Sequence, residues 1–320
     1  MSLNIGRKGF IGVGLESTPG VPTTVDDYIP FTENTLQGKH EPIPNEAAYG
    51  IREKTFDAVD GKKWSEGSIG INADYTNVGY FLIAALGSNS PSNVAGSVYD
   101  HTITRNNSNT PQTMTLTQDR AVDQQYYRHL AVKTFEMSVA DGLVEAKSTM
   151  LGKFPITTAS GSNTTASGGI YSFADAHFAF GASVAGAVSA DNLKPHDFKL
   201  TIENNTTAQF RHGSNEPDSI DHGEFEASAE GTLYFENTTQ RDRYYNNTKQ
   251  AAAFVLTGPG IGGGYFGTLT FNMYRTHLNS NELETGLADF YAEKFEIMCD
   301  YDNANSKSID AVLRNLKSSY

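Results

Sequence analysis

The sequence predicts a mainly β protein made of two related sandwich or barrel-like units, each with one short flanking α-helix, and three observations carry that prediction. Runs in which apolar and polar residues alternate recur along the chain, as in Ser68-Ile69-Gly70-Ile71-Asn72-Ala73, and this is the mark of a strand with one buried face. The composition holds 16 Tyr, 18 Phe and 30 Gly with 19% charged residues, a balance that favours strands and turns over coiled coil or disorder. The order of strands and helix in the first half returns in the second.

At 320 residues the chain is long enough for one sizeable core or two smaller ones. A net charge of -13 argues against a surface that grips nucleic acid, because such surfaces rest on clustered Lys and Arg. DNA that meets this protein is expected to slip past. The single Cys299 excludes a disulfide framework and a multi-cysteine zinc site within one chain. The N-terminal residues hold no apolar run of signal-peptide length, and the longest apolar stretches, such as residues 80–86, are too short for a membrane span. The expectation is a soluble protein kept in the cytoplasm until it assembles.

Along the chain, residues 9–30 mix Gly, Pro and Thr around Phe10-Ile11-Gly12-Val13-Gly14-Leu15 and read as an extended arm or edge strand. Tyr28-Ile29-Pro30-Phe31 begins a strand. Residues 38–61, with Pro42, Pro44 and several charges, are too long for a tight hairpin and read as an excursion that contacts partners. After the strand at 68–73, Val78, Phe81, Leu82 and Ala85 fall at helical spacing, with Asp74 or Thr76 as start cap and Gly87 as end cap. Strands follow at 99–104, 112–117 and 126–139, the last with a one-residue shift near Lys133-Thr134 that predicts a β-bulge. Asp141-Gly142 signals a two-residue hairpin into residues 143–151.

Residues 157–169 contain mostly Thr, Ser, Ala, Gly and Asn and read as a connector. The domain expectation is therefore a first unit over 1–155, a Ser/Thr/Gly/Ala-rich connector over 156–190 and a second unit over 191–320. In the second unit, strands are expected at 198–204, 230–235, 251–257, 265–277 and 290–301, with a polar helix at 240–249. Glu66-Gly67 matches Glu230-Gly231, and Lys133-Thr134-Phe135-Glu136-Met137 resembles Lys294-Phe295-Glu296-Ile297-Met298. These two landmarks point to an internal duplication.

No catalytic, cofactor-binding or metal-binding residues are assigned. Gly9-Phe10-Ile11-Gly12-Val13-Gly14 has the glycine density of a phosphate loop but no preceding strand or following helix. Residues 258–264 read as a hairpin tip. His212 and His222 flank Glu216, Asp218 and Asp221, and a solvated loop explains this cluster better than a cation site. Asp26-Asp27 and Asp57 with Asp60 become an acid and base only if burial sets them apart. Cys299 sits in an alternating strand and reads as packing. The triplets starting at Asn163 and Asn237 are expected by chance in a chain with this much Asn and Thr.

The residues Gly12-Val13-Gly14-Leu15-Glu16-Ser17-Thr18-Pro19-Gly20-Val21-Pro22, the strand at 28–31, and Trp64-Ser65-Glu66-Gly67-Ser68-Ile69-Gly70-Ile71 leading into the helix at 77–87 resemble the tail tube proteins of long-tailed bacteriophages. The element order over 223–301 is similar to the same family's domain. The resemblance implies a β-sandwich or barrel-like domain whose sheets join side by side into a ring, with stacked rings forming the conduit for the genome. It implies a structural virion protein and not an enzyme, assembled in the host cytoplasm without cofactor. The implied partners are further copies of the chain, tail terminator, baseplate or tip and tape-measure proteins, with DNA passing unbound and no membrane involved.

Two tube domains per chain favour a trimeric, pseudo-hexameric ring, with a true hexamer as the alternative. Residues 1–30 and 38–61 are the candidates for contacts between rings, since extended backbone can add to a neighbour's sheet edge. Deleting residues 1–30 is expected to leave folded subunits that fail to polymerise. The competing readings are a carbohydrate- or receptor-binding β-sandwich of a tail or adhesin, and an enzyme on polysaccharide that needs two carboxylates in a cleft.

Overall fold

Among the described residues, the first half of the chain builds ten strands and one α-helix before its short closing strand. The computed structural model describes residues 6–120, 122–158, 168–190, 193–284 and 290–320. In chain order these elements are β1 (Phe10–Leu15), β2 (Asp27–Ile29), β3 (Glu33–Asn34), β4 (Gln37–Asn45), β5 (Asp57–Asn72) and α1 (Val78–Leu86). Then come β6 (Gly87–Ala95), β7 (Val98–Arg105), β8 (Met114–Asp119), β9 (Gln124–Val139), β10 (Glu145–Gly152) and β11 (Ile156–Thr158).

The second half holds β12 (Ala176–Gly181), α2 (Val184–Val188), β13 (Asp197–Glu203), β14 (Thr207–Gln209), β15 (Ser219–Asp221), β16 (Glu226–Tyr234) and α3 (Thr239–Tyr245). It ends with β17 (Gln250–Gly262), β18 (Tyr265–Glu284), β19 (Ala292–Cys299) and β20 (Ile309–Asn315). The fold is mainly β, as the alternation predicts.

Three antiparallel ladders emerge. One runs β4-β5-β10-β9-β13-β16-β19-β18 and crosses from the first half to the second where β9 pairs with β13, Phe198 opposite Val139 and Glu203 opposite Thr134. A second runs β2-β1-β8-β9-β11, and a third runs β12-β17-β18-β20-β7-β6. The long strands β9 and β18 belong to two ladders each. The predicted bulge explains how β9 turns: Thr149 faces Thr134 and Met150 faces Val132, so Lys133 is the extra residue. A bulge bends a strand and increases its twist, and β18 has its own shift between Leu278 and Ser280.

The two halves repeat one order of pairing. β1-β8-β9-β10-β5-β4 in the first has its parallel in β12-β17-β18-β19-β16-β13 in the second, with α1 after β5 and α3 after β16. Of the two sequence landmarks, Glu66 and Glu230 fall on corresponding strands, β5 and β16. Phe135 and Phe295 do not, since Phe135 lies on β9 and Phe295 on β19. Their likeness reflects the alternation that any half-buried strand shows.

Between the ladders, α1 is apolar all round, and all nine of its residues are buried in the main core. Each large side chain there, such as Phe81 or Leu82, contributes about 1.5–3 kcal/mol by leaving water. The expected single stripe is thus a fully enclosed helix, covered by the β6-β7 hairpin that α3 lacks. Asp74 acts at its start, accepting the N–H groups of Thr76 and Asn77 at 2.8 Å each. Gly87 ends it in the left-handed conformation, φ 94°, which favours glycine.

Several expectations need correction. Residues 9–30, expected as an extended arm or edge strand, are built into a sheet: β1 is an internal strand between β2 and β8, and Ile11, Val13 and Ile29 are core side chains. Deleting these residues removes Ile11, Val13 and Ile29 from the core, so loss of folding, and not of polymerisation alone, is the outcome this packing predicts. Residues 38–61 are not a loop excursion but most of a long hairpin, β4 with the first half of β5. The Asp141-Gly142 turn is longer than two residues, since the β9-β10 ladder closes at Ser138 opposite Glu145. Of the connector over 156–190, residues 159–167 lie outside the described residues, and the rest carries β11, β12 and α2, with β12 paired to β17. Asn163 and residues 1–5 likewise lie outside them.

Candidate assembly surfaces

The eight-stranded ladder has one apolar face in the core and one polar face in solvent. On β13 the pattern buries Phe198, Leu200 and Ile202 and turns Asp197, Lys199, Thr201 and Glu203 outward. On β16 it buries Ala227, Ala229 and Leu233 and turns out Glu226, Ser228, Glu230 and Tyr234. Glu136 on β9, Glu145 and Lys147 on β10, and Lys294 and Glu296 on β19 share this polar face by the same alternation.

Register places like charges directly across from one another here. Glu203 pairs with Glu226, and Glu230 pairs with Glu296. Such opposition costs stability in a sheet. Unlike charges also stand opposite one another, Lys199 with Glu230, Lys147 with Glu136 and Lys294 with Glu282. Lys199 Nζ lies 2.6 Å from Glu136 and 4.0 Å from Glu230, Lys294 reaches Glu284 at 2.6 Å, and Lys147 reaches Glu33 at 2.8 Å. Glu136 beside Lys199, with further acids nearby, holds that ammonium above its ordinary pKa.

The ladder ends in two strand edges without a partner among the described residues, β4 on one side and the second half of β18 on the other. Pro42 and Pro44 lie on β4, in keeping with an edge position. Beyond the ladder the β4-β5 hairpin projects with both faces exposed. Ile43 and Val59 face each other across it, and the Tyr49 and Phe56 rings stack at 3.9 Å near its tip. Asp60 is tied to Lys63 at 2.9 Å and to His40 at 3.3 Å, and Lys63 holds its carboxyl below the usual range.

A family model described as phage tail tube protein matches residues 6–291. The chain belongs to that family. None of the curated proteins compared with it matches. As a tail tube family member the chain is a structural component of the phage virion tail, in agreement with the resemblance carried by residues 12–22 and 64–71.

Charged residues of the candidate clusters are engaged within the chain. Among the described residues, no group of three or more His, Cys, Asp or Glu side chains is placed to hold a metal ion. Around His222, Glu216 pairs with Arg128 at 2.9 Å, Asp218 with Arg211 at 3.2 Å, and Asp221 accepts from Ser219 at 2.8 Å. Asp27 accepts from Tyr80 Oη at 2.7 Å and also contacts Lys317. Burial pushes the Cys299 thiol up to about 12, far from a nucleophile's range. Residues 258–264 form the β17-β18 tip, with Gly262, Gly263 and Gly264 all at positive φ. Among the described residues no helix is long and apolar enough to cross a membrane.

The sequence did not reveal the acidic face as such, because its opposed pairs join residues 23 and 66 positions apart (226 − 203 and 296 − 230). The alternation marked each strand's polar side, but only the pairing brings those sides together.

Proposed function

We propose that copies of this chain close into rings, that the rings stack into the tail tube, and that the genome passes through the lumen into the host. The polar face of the eight-stranded ladder is the inner wall in this reading. The observation that carries it is the pair of Glu–Glu oppositions, Glu203 with Glu226 and Glu230 with Glu296. A sheet face selected for stability alone would alternate signs, whereas a wall that must not hold phosphates gains from excess negative charge.

The repeated pairing order supports an internal duplication, with the second unit beginning by β12 at Ala176 rather than at residue 191. Two units per chain favour three chains per ring, closed head to tail between the β4 edge of one copy and the β18 edge of the next. Six chains per ring is the alternative. The projecting β4-β5 hairpin contacts the adjacent ring, and the finished tube meets terminator, baseplate or tip and tape-measure proteins after assembly in the host cytoplasm.

Electron microscopy of the purified protein tests this. Stacked annuli with three chains per ring are expected, the stoichiometry being read from native mass measurement of single rings. Discrete particles with saturable sugar binding would favour the receptor-binding alternative instead.

A further inference from the structure

The second half of the chain has no projecting counterpart of the β4-β5 hairpin. By the repeated pairing order β13 and β16 stand to one another as β4 and β5 do, yet their ladder stops at Glu203 opposite Glu226, and residues 204–225 fold sideways onto the first half. Both roots of this excursion are anchored. Asn204 Nδ2 donates to Ala85 O at 2.9 Å and Val132 O at 3.1 Å, and the His222 N–H donates to Asn109 O at 2.9 Å. Between the roots, β14 and β15 form a two-stranded sheet of their own. Ile220 is buried with Ala131 and Leu151, and Trp64 and Ala208 pack against them, a small core separate from the main one.

The excursion meets the hairpin where the hairpin leaves the ladder. β10 accompanies β5 only as far as Ser65 opposite Gly152, so from Asp57 to Trp64 the far side of β5 has no strand beside it among the described residues. There Asn215 O accepts the Lys63 N–H at 2.8 Å. Phe210 meets the Trp64 ring edge-on at 6.2 Å and lies 5.0 Å from the Lys62 ammonium, and Glu216 pairs with Arg128 of β9 at 2.9 Å. Just beyond, the register of the hairpin shifts between Glu41 and Ile43, an irregularity of the kind that bends a ribbon.

We propose that the β14-β15 excursion is a brace, with Phe210, Asn215 and Glu216 as positioning residues that fix the direction in which the β4-β5 hairpin leaves the ladder. A two-stranded ribbon in water is marginal on its own, and this one is exposed on both faces past Gly61. Its direction must be set at the root, where the backbone bond, the ring contacts and the ion pair all come from one excursion. A segment already held in one direction binds without first losing that freedom, which is the gain from preorganisation. The brace belongs to the single subunit and does not depend on how copies assemble.

Hydrogen exchange on the purified subunit tests it. Phe210→Ala/Glu216→Ala is expected to speed exchange over residues 38–63 at least about tenfold while α1 and β13 keep their wild-type rates. Glu216→Arg is expected to speed the same residues, and Arg128→Glu/Glu216→Arg, which remakes the ion pair with its ends exchanged, to slow them again. Direction is read from spin labels at Glu53→Cys and Ser108→Cys, since the native Cys299 is packed against the core. Their distance distribution is expected to widen at least about twofold in the Phe210→Ala/Glu216→Ala background. Unchanged exchange or an unchanged width in that variant overturns the brace, and so does exchange that rises equally in the hairpin and α1. Either failure leaves the tube reading standing, because rings and tubes are scored separately by microscopy.

Discussion

The carboxylate of Glu16, only 2% exposed, accepts the backbone N–H of His129 at 2.8 Å across a sequence separation of 113 residues. Gly20 N–H at 2.7 Å, Thr113 Oγ1 at 2.6 Å and Thr115 Oγ1 at 2.8 Å complete its donor set. A buried carboxylate is tolerable only with such partners. The arrangement fixes the turn at residues 16–20 to the point where β9 bends, with His129 itself at φ 54°. Gly20 is required in turn: its φ is +80°, and a Cβ there would stand 2.8 Å from His129 Nδ1.

Glu16→Ala is expected to strand two N–H groups and two hydroxyls, at a cost of about 3 kcal/mol or more. Urea unfolding measures this directly. Glu16→Gln keeps one acceptor oxygen and should lose less; a loss below about 1 kcal/mol for the alanine variant would refute this account of the turn.

What could be read from sequence follows from where contrast exists. β13, β16 and the second half of β9 have one buried face, so their side chains alternate and their strand character shows. The mix of Gly, Pro and Thr over residues 9–30 gives β1 the look of an extended arm or edge strand, yet its glycines are sites of close packing: a Cβ on Gly12 would fall 2.5 Å from Val25 Cγ1. The β4-β5 hairpin projects with no buried face, which removes the contrast and made it read as loop. β12 follows the Ser/Thr/Gly/Ala-rich segment and is masked by that composition, and β20 carries no turn or duplication signal of its own. The assembly surfaces depend on register between distant strands, which local pattern does not encode.

His222 is expected to make the folded protein sensitive to acid. Burial drives its pKa down to about 4 from an ordinary 6.5, with Asp221 opposing, and its Nδ1 lies 2.9 Å from Thr206 Oγ1. His101 and His129 are also lowered by burial. A group whose folded pKa is depressed adds stability above its unfolded pKa, and that stability is lost as pH falls from about 6.5 toward 4. For His222 the loss is at most about 3 kcal/mol. Unfolding midpoints at pH 7 and pH 4.5 check it: His222→Gln is expected to lose less stability between them than the wild type, and equal losses would remove His222 from the explanation.

The opposed glutamates make a two-sided prediction about the polar face. If Glu203 and Glu226 repel across the β13-β16 ladder, then Glu203→Gln/Glu226→Gln relieves that repulsion and raises subunit stability by about 0.2–1 kcal/mol, measurable as a higher thermal midpoint. The reverse substitution probes the lumen role. Glu226→Lys/Glu230→Lys places cations along the proposed DNA path, where each phosphate contact adds salt-dependent attraction. Phage carrying it are expected to assemble tubes yet eject DNA at least about twofold more slowly at low salt, with the defect fading as salt screens the charges. Ejection at the wild-type rate at every salt concentration would mean that this face does not meet the genome.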